Sequence, residues 1–89
     1  MVQDADEIVK NVARKIVELR LAHGMTQERL AEALDCSVQY ASRIEVGENL
    51  SITTLTKIAN AIGVPVIALF EPPSPSEPPT KRGRPRRAA

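Results

Sequence analysis

Tryptophan is absent from this chain of 89 residues, and tyrosine, phenylalanine, histidine and cysteine occur once each. Without large aromatic side chains a core must be built from Leu, Ile, Val and Ala, the composition of a small helical bundle. The lone Cys36 excludes an internal disulfide, which fits a reducing compartment. It is expected to be a small buried hydrophobe, with a redox switch as the sharper alternative. His23 falls at the end of the first expected helix, where a partial positive charge suits the dipole. No second His, Cys or acidic cluster stands at ligand spacing, so neither metal binding nor catalysis has a foothold and the chain reads as a non-enzyme without a cofactor. No apolar run approaches the roughly 20 residues of a membrane span, and the opening MVQDADE is acidic where a signal peptide would be basic. The expectation is a soluble, cytoplasmic protein with no membrane partner and no small-molecule ligand.

What is present divides into three segments. Residues 1–70 hold seven Lys and Arg against nine Asp and Glu, a charge of −2, whereas residues 71–89 hold five against two, a charge of +3. The formal net charge of +1 therefore conceals a mildly acidic body and a basic tail. Residues 71–80, EPPSPSEPPT, carry five prolines and almost nothing apolar. They favour an extended polyproline II spacer reaching roughly 31 Å at about 3.1 Å per residue, with a ligand for an SH3-like partner as the alternative. Residues 81–89 form the basic end of a tail expected to be disordered. One domain of about 70 residues supplies only a few kcal/mol by itself, so dimerisation would help it. VPVIALF, residues 64–70, has more apolar residues than one inward face can hold, so Leu69 is expected in the core and some of Val64, Val66, Ile67 and Phe70, with the end of the fourth helix, in a dimer contact.

Periodicity and caps predict an all-α body of five helices. Asp4 with Glu7 three residues on forms a capping box in its Asp version, and Ile8, Val9, Val12, Ile16 and Leu19 make a helical stripe to about Leu21, closed by Gly24. Helices at roughly 27–34 and 38–46 start from Thr26 and Ser37. Ser51 caps a fourth, with Ile52, Leu55, Ile58, Ala59 and Ile62 inward and Gly63 as its stop, and Pro65 opens a short fifth to about Leu69. The second and third helices are the informative pair. Leu30, Ala31 and Leu34 form one apolar face, Asp35, Cys36 and Ser37 break the pattern, and Ala41 and Ile44 supply the next inward face before Gly47 ends it. Two short helices at a fixed angle are a helix-turn-helix, a unit that lays its second helix in the major groove of DNA.

From about Val9 to Phe70 the chain resembles the Xre-type, phage-repressor-like (Cro-like) regulators. The residues that carry the likeness are Ile16, Leu19 and Arg20; Met25, Thr26 and Gln27 with Leu30 and Ala31; the run from Ser42 to Gly47; and Leu55, Ile58, Ala59, Ile62 and Val64. Asn49, Leu50 and Ser51 after Gly47 look most like the controller proteins of restriction-modification systems. Asp35 departs from the pattern, standing where the family has Gly at a left-handed turn. Asp tolerates that conformation better than most residues, so a modest stability cost is expected. The resemblance implies a bacterial, nucleoid-associated repressor that binds duplex DNA as a homodimer on a roughly palindromic operator. It also implies an Arg20–Glu45 pair, read as structural, with an Arg20 contact to phosphate as the alternative.

At about 100° per residue, the inward Ala41 and Ile44 leave Gln39, Ser42, Arg43 and Val46 pointing outward, flanked by Val38 and Tyr40. Arg binds guanine O6 and N7 bidentately, Gln suits adenine and Val a thymine methyl. The family's base-contacting positions fall on Val38, Gln39 and Arg43, and its phosphate-contacting position at the start of the second helix on Gln27. The expected DNA-binding set in the body is Gln27, Val38, Gln39, Tyr40, Ser42 and Arg43.

In the tail, Lys81 to Arg87 resemble the AT-hook of architectural chromatin proteins, with Arg82, Gly83, Arg84 and Pro85 as its core. Gly83 lets the backbone press into a narrow A·T-rich minor groove while Arg82 and Arg84 run along its floor. The family often has Pro where Lys81 stands. A generic basic anchor or an import-like run is the alternative. For the whole chain the rival readings are an antitoxin-like protein-binding module and an architectural DNA protein with little sequence preference.

Overall fold

The structure, a computed structural model, describes residues 2–73. Residues 74–80 of the Pro-rich segment and the hook-like residues Arg82, Gly83, Arg84 and Pro85 lie outside the described residues, as does the expected disorder of the tail. Four α-helices stand in order: α1 Ala5–Ala22, α2 Gln27–Leu34, α3 Val38–Gly47 and α4 Ile52–Ile62. A 3-10 segment, Val66–Phe70, follows where a fifth α-helix was expected. There is no strand among the described residues.

Each start is set by one short polar side chain. Thr26 accepts from the N–H of Arg29, Ser37 from that of Tyr40 and Ser51 from that of Thr54, at 3.1, 3.0 and 3.1 Å, which satisfies one orphan donor per helix. Asp4 caps α1 by accepting from Asp6 rather than through a reciprocal box with Glu7.

Three of the four helix ends share one chemistry. After α1 the N–H of Met25 donates to the Arg20 carbonyl, after α2 that of Cys36 donates to Ala31, and after α4 that of Val64 donates to Ala59, each at 3.0 Å. Such a six-to-one bond requires a left-handed residue just before its donor. Gly24 and Gly63 supply it at φ +66 and +94. At the end of α2 the same task falls to Asp35, at φ 55 the one non-glycine residue with positive φ among the described residues.

Val12, Ile16, Leu30, Ile44, Leu55, Ile58, Ala59, Ile62 and Leu69 make one buried cluster, with Tyr40, Met25 and Val64 packed against it. Ala31 and Ala41 are buried at 3% and 0% exposure, and their small side chains let α2 and α3 approach closely. α1 packs across α3, α2 against α3 and α4, and the 3-10 segment against α4 and α1. Three expectations shift. Ile52, expected inward, is 76% exposed, because at about 100° per residue it lies at the edge of the stripe that Leu55, Ile58, Ala59 and Ile62 turn to the core. Ile8 of the α1 stripe is exposed, because the stripe outruns the neighbours that could cover its first turn. Cys36 is only half-buried, since the turn that holds it lies at the surface. No helix among the described residues is long and apolar enough to cross a membrane.

Candidate nucleic-acid interface

α3 is locked on one side and open on the other. Ala41 and Ile44 are buried at 0% and 1% exposure, so the opposite side of the same helix carries exposed Gln39, Ser42, Arg43 and Val46. Val38, in the first turn, is also exposed. The turn Asp35–Ser37 brings α3 out of α2 at an angle fixed by the Cys36-to-Ala31 bond and the Ser37 cap. The result is a rigid helix presenting a mixed polar and aliphatic face, the kind of surface that reads base edges.

The roll of α3 about its axis is set by its last turn. Glu45 accepts from Nε of Arg20 at 2.6 Å and from Nη2 at 3.2 Å, a forked, charge-assisted pair. Arg20 also donates through Nη1 to the Met25 carbonyl at 2.8 Å. The Arg20 and Glu45 side chains are only 11% and 8% exposed, so the pair lies well out of solvent. It ties the end of α1, the loop before α2 and the end of α3 into one unit. The expected Arg20–Glu45 pair is present, and Arg20 is not free for phosphate in this arrangement.

Two of the expected DNA-binding residues have roles inside the protein. Gln27 is half-buried, and its Nε2 donates to Oε1 of Glu45 at 3.1 Å, which adds the start of α2 to the same network. Tyr40 is half-buried against the core, and the Arg43 guanidinium carbon lies 5.3 Å from its ring centroid. The Gln27 contact escaped sequence reasoning because 18 positions separate it from Glu45. The Tyr40–Arg43 contact had a legible signal: residues three apart on a helix are surface neighbours.

Two of the seven Lys and Arg of residues 1–70 are tied up in ion pairs. Lys15 pairs with Glu18 at 3.2 Å and Arg20 with Glu45, while Lys10, Arg14, Arg29, Arg43 and Lys57 are exposed. Among the described residues no group of three or more His, Cys, Asp and Glu could hold a metal ion.

A helix-turn-helix family model matches residues 16–69. Among solved structures, the restriction-modification controller protein C.AhdI from Aeromonas hydrophila is 32% identical, the match covering 72% of this chain and 97% of that one at a TM-score of 0.65. The restriction-modification controller protein C.Esp1396I is 34% identical over 71% of this chain and 83% of that one, at a TM-score of 0.64, and has also been solved in a nucleoprotein complex. The clp gene regulator ClgR from C. glutamicum is 27% identical over 70% of this chain and 82% of that one, at a TM-score of 0.67. No curated protein sequence matches the chain.

Proposed function

The chain belongs to the helix-turn-helix family in its Xre-like form, and from that premise we propose that it regulates transcription by binding duplex DNA. It acts by binding rather than catalysis, as a homodimer on a roughly two-fold operator. The observation that carries this reading is the outer face of α3, where Val38, Gln39, Ser42 and Arg43 are exposed on a helix whose other side is buried. That face enters a major groove, with Arg43 on guanine, Gln39 on adenine and Val38 on a thymine methyl. The similarity to C.Esp1396I, seen in a nucleoprotein complex, and to the gene regulator ClgR supports the reading. One of the two Nε2 donors of Gln27 is held by Glu45, which orients the amide and leaves its second N–H, with the backbone N–H at the start of α2, for phosphate.

The dimer uses the end of the fold, where Ile67 and Phe70 are 67% and 50% exposed and Val66 lies beside them. The tail adds five basic residues to a body of net charge −2, with Arg82 and Arg84 entering a flanking A·T-rich minor groove past Gly83 and Pro85.

The test is selection of binding sites from random DNA with full-length protein and with protein ending at residue 73. A regulator of this kind returns one two-fold motif with both proteins, and A·T-rich flanks with the full chain only. Equal binding of random and selected DNA would instead identify an architectural protein.

A further inference from the structure

Arg43 is the residue on which the proposed base preference chiefly rests, yet arginine is long and flexible, and an exposed arginine samples many rotamers. Here its guanidinium carbon sits 5.3 Å from the centroid of the Tyr40 ring, within the roughly 6 Å over which a cation is held by a ring face. The ring is itself anchored. Tyr40 packs against the buried cluster, and its backbone N–H donates to the Ser37 cap at 3.0 Å. Arg43 makes no hydrogen bond or ion pair with any described residue, so its forked N–H donors remain unengaged. A carboxylate partner would occupy those donors. A ring attracts the charge and leaves the edge free to meet guanine.

We propose that Tyr40 is a specificity-determining positioning residue, whose ring holds the Arg43 guanidinium ready for bidentate recognition of guanine. This inference rests on Arg43 being a base reader. It assigns Tyr40 a role through Arg43 rather than through a contact of its own with DNA. Ordering the side chain before binding lowers the entropy lost on contact. The gain falls on the guanine-bearing site and is absent where no guanine is available, so the ring raises discrimination as well as affinity.

The experiment is a competition titration of the full chain against two duplexes. One carries the half-site selected from random DNA, and the other differs only at the base pair read by Arg43. Tyr40→Phe is expected to keep the ratio of the two affinities, and Tyr40→Leu to lower it about 2- to 5-fold. In an Arg43→Ala background Tyr40→Leu changes the ratio no further. Replacing Tyr40 by phenylalanines of increasing fluorination keeps shape and packing while draining charge from the ring face, so the ratio should fall stepwise. That series also covers a Tyr40→Leu chain that fails to fold. If Arg43→Ala leaves the ratio unchanged, Arg43 is no base reader and the inference falls with that reading. If Arg43→Ala abolishes the ratio but fluorination leaves it intact, the reading stands and the inference is overturned. Equal losses for Tyr40→Phe and Tyr40→Leu would place the effect in the hydroxyl and overturn it as well.

Discussion

Glu45 and Arg43 stand two positions apart on α3 and answer to different physics. Glu45 is withdrawn from solvent and accepts from both Arg20 and Gln27, so its loss strands a largely buried guanidinium and a half-buried amide. Exposed pairs contribute about 0–1 kcal/mol, whereas breaking a buried pair by removing one partner costs about 3–5 kcal/mol. Glu45→Ala is therefore expected to lower stability by about 3 kcal/mol, a large part of what a domain of this size possesses. Chemical denaturation read by circular dichroism measures it, and a loss below about 1 kcal/mol would mean that the pair is screened as a surface pair is. Arg43 is exposed and contributes little to folding. Arg43→Ala should leave the melting temperature in place while costing about 1–3 kcal/mol on the preferred DNA and relaxing selectivity at one position per half-site. Unchanged selectivity in competition would remove Arg43 from the reading face.

The elements are punctuated by residues whose choice reads directly from the chain. Thr26, Ser37 and Ser51 are short oxygen-bearing side chains one position before an amphipathic run, and each accepts from the N–H three residues on. The weak punctuation mark is Asp35, which holds a left-handed turn that glycine holds after α1 and α4. A left-handed residue costs about 1–2 kcal/mol for an ordinary side chain and less for Asp, while glycine adds about 0.4–1 kcal/mol of unfolded-state entropy. These nearly offset, so Asp35→Gly is expected to change stability by under about 1 kcal/mol, in the stabilising direction. Asp35→Val is β-branched and should lose at least about 1–2 kcal/mol, a fall of roughly 4–8 °C in Tm per kcal/mol. Thermal melts of the two variants check the sign, and an indifferent Asp35→Val would show that the turn relaxes out of the left-handed region.

At the scale of the molecule, two surfaces remain to be partnered. Ile67 and Phe70 are exposed on the 3-10 segment although their neighbour Leu69 is fully buried, an arrangement suited to covering by a second copy. Ile67→Asp and Phe70→Asp are each expected to shift sedimentation toward monomer at concentrations where the parent is dimeric. Wild-type association would move the interface elsewhere. The second surface is electrostatic. The body exposes five Lys and Arg but has a net charge of −2, and positions 81–89 add five more basic residues in one short run without an acidic one. Deleting residues 81–89 should weaken binding and flatten its salt dependence. If about three charges per tail meet phosphates, the slope of log K against log salt falls by roughly 2.7 per tail, at about 0.9 per contact. A hook-like tail loses more on A·T-flanked operators and is disabled by Gly83→Val. A plain basic anchor loses equally on both flanks and ignores that substitution.

The caps, the turn residues, the inward faces of α2 and α3, that of α4 apart from Ile52, and the outward direction of Arg43 were legible in the chain, because each depends on spacing within one helix or on a single residue at a boundary. The Arg20–Glu45 pair was legible only through family resemblance, since 25 positions separate the two. What the tertiary structure alone decided are the outcomes of competition between segments. Gln27 turned to Glu45 because the packing of α1, α2 and α3 brings a buried carboxylate beside its amide. Within VPVIALF the apolar surplus already placed Leu69 inside and Ile67 and Phe70 outside, as the fold has them. What docking on α4 and α1 decided is that the segment winds as a 3-10 turn rather than as a fifth α-helix. A run this short has too few turns to specify its own winding, so the surface it meets dictates it.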